Sequence, residues 1–159
     1  LQNMNSYLDN PKVLAGGGSI MVNDDDIKNK NYEKITELTK NAVANMLGFE
    51  FSHLGVNCPD SDTADSLSTA FNSYFNFEKK PGNSSIFAGS SMELTRTPFP
   101  GAHGHIAIRT NSMIRAMYYL ERQGLSFNLG TAKYDNKNNI KAIYLNGEFG
   151  GFAIHLLQK

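Results

Sequence analysis

The stretch Phe51-Ser52-His53-Leu54-Gly55-Val56-Asn57 decides how this chain is read, because its outline returns as Gly104-His105-Ile106-Ala107-Ile108-Arg109-Thr110. Each copy carries a histidine with a small residue two places on, Gly55 or Ala107, and larger apolar residues in between. That is the two-residue period of a strand with unlike faces. One face holds the histidines and is left roomy; Leu54, Val56, Ile106 and Ile108 point the other way, towards covering helices. Each copy leads into a polar linker, an amphipathic helix pattern and short strands. Each closes on a polar residue between apolar ones, Met92-Glu93-Leu94 and Ile154-His155-Leu156. The duplication sets His53, Glu93, His105 and His155 at four equivalent positions, all of types that bind a divalent metal.

Working outward, the first unit runs from 48 to 100. Pro59 to Asp65 forms a turn and helix entry, and the helix reaches about Phe75 through Ala64, Leu67, Ala70, Phe71 and Tyr74. Lys79 to Asn83 reads as a loop, Ser84 to Ala88 and Met92 to Thr95 as strands, and Pro98 and Pro100 end the unit. The second unit, 101 to 159, repeats the order. It has a strand His105 to Thr110, a helix Ser112 to Gln123 stopped by Gly124, and a strand near Thr131 to Tyr134. A hairpin tip at Asn136-Lys137-Asn138-Asn139 and strands Lys141 to Leu145 and Phe152 to Leu157 complete it. The pattern is βαβββ twice, an α+β class. His103 falls in a loop between Gly101 and Gly104.

Residues 1–47 read differently. Val13-Leu14-Ala15 is a short apolar run predicted as a strand after the Pro11-Lys12 break, Gly16-Gly17-Gly18-Ser19 follows, and Asp24-Asp25-Asp26 precedes a helix from Tyr32 to Met46. Gly48 is its expected stop. The chain begins with Leu1 inside a segment that already reads as amphipathic, which suggests a fragment.

Composition narrows the classes. The 159 residues are 40% hydrophobic, with ten Phe and no Trp, so a core can form without disulfides, and the single Cys58 cannot make an internal bridge. Lys plus Arg equal Asp plus Glu at fifteen each, which gives no electrostatic reason to expect nucleic acid or an acidic membrane. With no apolar run near the roughly 18 residues of a membrane span and no signal-peptide pattern, the chain is expected to be cytoplasmic.

The duplicated unit, about Gly48 to Lys159, resembles the vicinal oxygen chelate superfamily, which includes glyoxalase I and the extradiol dioxygenases. The resemblance implies two βαβββ modules whose sheets curl into one metal-holding cup, with ligands on the first and last strands of each module. Those positions match His53, His105, Glu93 and His155; at the last of them the family more often has a carboxylate. The implied ion is divalent, from the set Zn, Ni, Co, Mn or Fe, with no organic cofactor. Arg96, Arg109 and Tyr144 are candidate anion contacts, and Phe87, Phe127, Phe149 and Phe152 candidate lining.

The segment Asn10-Pro11-Lys12-Val13-Leu14-Ala15-Gly16-Gly17-Gly18-Ser19-Ile20-Met21-Val22 and the helix after it resemble the C-terminus of the 2-keto-3-deoxy-6-phosphogluconate and 4-hydroxy-2-oxoglutarate (KDPG/KHG) aldolases. There they would be the last strand and helix of a (β/α)8 barrel, with Gly17, Gly18 and Ser19 holding a substrate phosphate. Gly16 and Ile20 stand where that family usually has Cys and Trp.

This resemblance makes the chain the C-terminal fragment of a bifunctional keto-acid aldolase, a pyruvate-releasing lyase acting on a keto acid or sugar acid phosphate, with the glyoxalase-like domain as accessory. The chain has no Schiff-base lysine in an apolar strand, so it is expected to be inactive as an aldolase. Two alternatives stand beside this reading. One is a metal-dependent glyoxalase-like lyase or isomerase, with Glu93 moving a proton; the other is a metal-free module for small-ligand binding or oligomerisation. A homo-oligomer is expected, with the Ile35 to Met46 helix packed on the cupped domain or on a neighbouring subunit.

Overall fold

A computed structural model describes residues 3–10 and 12–159. Leu1, and the break read at Pro11, lie outside the described residues. Three helices come first: α1 (Met4–Leu8), α2 (Asp24–Lys28) and α3 (Tyr32–Leu47). Module one follows as β1 (Glu50–Asn57), α4 (Ser61–Phe75), β2 (Lys79–Pro81), β3 (Ser85–Ala88) and β4 (Met92–Thr95). Module two is β5 (Gly104–Thr110), α5 (Met113–Arg122), β6 (Phe127–Tyr134), β7 (Ile140–Phe149) and β8 (Phe152–Gln158).

All eight strands join one sheet in the order β2-β3-β4-β1-β5-β8-β7-β6. The two halves mirror each other: each module lays its first strand parallel to its last, and the first strands, β1 and β5, pair antiparallel at the centre. This is the paired βαβββ architecture expected from the duplication. A register shift between Phe51 and His53 is a bulge at the start of β1, the device that bends a strand and tightens local twist.

Local chemistry accounts for the elements. Asp60 caps α4, its Oδ1 accepting from the Thr63 backbone N–H at 2.7 Å, and Asn76 ends the helix in the left-handed region that Asn tolerates. Asp135 organises the β6–β7 turn by accepting from the backbone N–H of Lys137 and of Asn139, both at 2.8 Å. Lys79 to Pro81, expected as loop, pairs with β3 instead: as an edge strand it tolerates a terminal Pro81, which has no N–H to donate.

The core lies between the sheet and the helices in two clusters. Module one buries Cys58, Ala64, Ile86, Ala88 and Leu94, with Val56, Leu67 and Phe71 against them. Module two buries Met113, Ala116, Phe127, Ile143, Leu145 and Leu156, and α3 adds Leu47, with Val43 and Met46 alongside. The α3 helix thus packs on the cupped domain, as the sequence suggested. Its C-terminal carbonyls are taken by β5: Thr110 Oγ1 donates to the Leu47 oxygen at 2.7 Å and the Asn111 backbone N–H at 2.9 Å.

The expected strand at Val13-Leu14-Ala15 does not form. The segment has no regular structure, and Leu14 is fully out in solvent. It is held beside α5 rather than at either edge of the sheet: the Val13 carbonyl accepts from Arg115 on α5 at 3.0 Å, and the same guanidinium donates to the Leu8 carbonyl at 3.0 Å. Among the described residues no helix is long and apolar enough to cross a membrane.

Candidate metal centre

The register of the sheet assembles the four expected residues. Across the central pair His53 faces Ala107 and His105 faces Gly55. On either side Gly55 faces Glu93 and Ala107 faces His155. Each small residue therefore leaves space for two polar ones, and the need at Gly55 is acute: a Cβ there would sit 2.0 Å from the His105 ring.

Three of the four side chains close a triangle. His53 Nε2 and His105 Nε2 are 3.3 Å apart, and each is 3.1 Å from Glu93 Oε2. His155 is the fourth, and the ligand nitrogens of the three imidazoles all lie within 4.8 Å of one another. His105, with 2% of its side chain exposed, and His53 and Glu93, with 12% and 14%, are nearly withdrawn from water.

Neighbours hold the groups in place. Ser85 Oγ donates to Glu93 Oε1 at 2.6 Å, and Ser52 Oγ sits 3.2 Å from His53 Nδ1. Phe87 meets the His53 ring edge-on at 5.4 Å, Phe99 meets His105 at 6.1 Å, and Tyr144 stacks on His155 at 4.7 Å. Burial alone would raise the Glu93 carboxyl, but hydrogen bonds from His105, His53 and Ser85 prevail and hold it well below the usual carboxylate range. Burial, with His105 and His53 close by, lowers His155 to about 3, so this ring is neutral with a lone pair to offer. Burial and the nearby Glu93 charge push the Tyr144 phenol up to about 12.

The donor set fits a divalent ion. Ligand atoms about 2.0–2.2 Å from one ion stand roughly 2.8–3.6 Å apart, from octahedral to tetrahedral, and the triangle has edges of 3.1 and 3.3 Å. In the metal-free protein the same carboxylate oxygen accepts from both imidazoles. Two buried nitrogens, His155 Nε2 and His105 Nδ1, have no hydrogen-bond partner among the described residues.

Other expected contacts lie elsewhere. Arg96 donates to the Gly82 carbonyl and to Ser61 Oγ, Arg109 is exposed at the far end of β5, and Phe127 is in the module-two core. Gly17 and Gly18 line an apolar groove of about 550 Å³ between the N-terminal segment and α3, and Ser19 sits in a depression beside Asp24, Asp25 and Asp26. His103 rests against Phe152, outside the cluster. Sequence reading missed Ser52, Ser85, Phe99 and Asn57, which pins the loop between modules by donating to the Phe99 and Gly101 carbonyls at 2.8 Å. Nothing in their spacing marks them: Ser85, Phe99 and Asn57 act on residues that only the fold brings near, and Ser52 is the strand neighbour of His53.

Solved structures share this architecture. A hypothetical protein from Bacillus halodurans C-125 superposes with a TM-score of 0.50 at 10% identity, over 70% of this chain and 94% of its own. Methylmalonyl-CoA epimerase from Mycobacterium tuberculosis gives 0.47 at 14% identity, over 71% and 89%. The Streptomyces coelicolor methylmalonyl-CoA epimerase in complex with 2-nitronate-propionyl-CoA gives 0.49 at 14%, over 69% and 94%. At such identities the likeness is one of fold, and the fold is the glyoxalase-like, vicinal oxygen chelate one. No protein-family model and no curated protein matches the chain.

Proposed function

We propose that this chain is a metal-dependent enzyme of the glyoxalase-like kind, a lyase or isomerase acting on a small substrate with oxygens on adjacent carbons. The observation that carries the reading is the buried cluster of His53 Nε2, His105 Nε2 and Glu93 Oε2, spaced 3.1 to 3.3 Å apart as ligand atoms of one ion are, with the unpartnered His155 Nε2 in the same group. His53, Glu93, His105 and His155 would hold the ion. When bound, it supplies a Lewis acid that polarises the substrate oxygens. Glu93, the one carboxylate of the cluster, with Oε1 held by Ser85, is the group assigned to move a proton once His53 and His105 turn their nitrogens to the ion.

The rings of Phe87, Phe99 and Tyr144 flank the cluster. The aldolase parentage suggested by residues 10–39 rests on that stretch alone, and the site needs none of it. Dialysis against Zn, Ni, Co or Mn followed by elemental analysis should give one ion per chain and a raised melting temperature. His53→Ala and His105→Ala should each abolish both effects. A protein that retains no stoichiometric ion, and variants that melt like the parent, would sink the reading.

A further inference from the structure

Duplication puts an aromatic ring on each wall of the cup. In the β3–β4 pair Phe87 stands opposite Glu93, and in the β7–β8 pair Tyr144 stands opposite His155. Both rings touch the cluster. Phe87 meets His53 edge-on, whereas Tyr144 lies nearly flat on His155, with 14° between the planes, and reaches to 6.1 Å from the His105 ring. The equivalent walls therefore differ by one polar atom, the Tyr144 hydroxyl.

That hydroxyl makes no hydrogen bond to the described residues, and although the ring is half-buried the oxygen itself reaches solvent. It is therefore a free donor, open to a molecule that enters beside His155. Charge indicates what the partner is. The cluster offers three imidazoles and a single carboxylate, so a divalent ion held there would keep one positive charge and favour an anionic molecule beside it. An anionic oxygen is also the strongest acceptor a phenol can meet.

Resting on the metal-dependent reading above, we propose that Tyr144 is the specificity-determining donor of the site. Its Oη hydrogen-bonds an anionic oxygen of a small substrate such as a keto or hydroxy acid. The substrate's charged end thereby lies towards module two and its apolar end against Phe87. The module-two wall reads charge; the module-one wall excludes it.

The test uses the whole chain loaded with Co(II), with oxalate as the probe anion and the visible Co(II) spectrum as the readout. Tyr144→Phe keeps the ring on His155 and deletes only the hydroxyl. The variant should bind Co(II) with the parent spectrum and affinity, while its oxalate affinity falls on the order of ten- to a hundredfold, the usual worth of a hydrogen bond to a charged group. Unchanged oxalate affinity in the Co(II)-loaded variant overturns the role of Tyr144 and leaves the metal reading intact, as does a parent that binds Co(II) and ignores oxalate. A variant that loses Co(II) too makes Tyr144 a support for His155 and overturns the donor role. A parent that binds no Co(II) overturns the metal reading and this inference together.

Discussion

At the scale of single residues, the site depends as much on what is small as on what is polar. Gly55 faces both Glu93 and His105, and any side chain there would enter the space of the His105 ring. Gly55→Ala should therefore displace His105, cost about 1–3 kcal/mol as overpacking does, and remove metal binding although no ligand is mutated. Thermal denaturation with a Co(II) titration checks both parts; a variant that binds Co(II) normally would show the ring can yield. His155 gives a pH dependence. Its ring titrates near 6.5 when free and near 3 in the fold. Between those values the unfolded chain binds more protons, so the stability of the metal-free protein rises with pH and is lost as pH falls from about 6.5 to about 3. His155→Gln is uncharged throughout and should flatten that slope in urea unfolding measured at several pH values. Equal slopes would place the penalty elsewhere.

Among the elements, the N-terminal segment is the one whose fate is set by a neighbour rather than by its own pattern. Val13-Leu14-Ala15 has the apolar run of a strand, yet it lies unpaired, with Arg115 bridging the Leu8 and Val13 carbonyls from α5. Helix α3 is anchored separately, by Leu47 in the core and by Thr110 and Asn111 at its end. Its stop at Gly48 is left-handed, φ 56°, and leaves room for the Asn111 side chain. Arg115→Ala should thus loosen residues 12–22, while α2, held by the Asp26–Lys34 ion pair, α3 and the four-residue cluster stay. Limited proteolysis ought to cut within that span faster than in the parent, with Co(II) binding unchanged; cleavage inside α3 at the same rate would contradict two separate anchors.

For the whole molecule, the continuous sheet joins two cores through β1 and β5, so the modules are expected to unfold together. Ile143 is wholly buried in the module-two core and Ile86 in that of module one. Ile143→Ala should cost about 2–5 kcal/mol and reduce hydrogen-exchange protection at Ile86 as much as at Leu156; loss confined to module two would mean the halves open independently. Much of this arrangement was legible in the residues. The alternation around His53 and His105, the helix from Tyr32 and the ligand-type residues at 93 and 155 are local patterns, set by the periods of strand and helix. What the sequence by itself determined is therefore the duplicated unit and the residue types at its four key positions. Only the tertiary structure decided that β1 and β5 meet antiparallel, that Gly55 and Ala107 each face two polar partners, that Tyr144 stands where its counterpart is Phe87, and that the N-terminal run finds no sheet. Those outcomes depend on pairings between residues far apart in the chain, whose energy lies in register and close packing that no local period encodes.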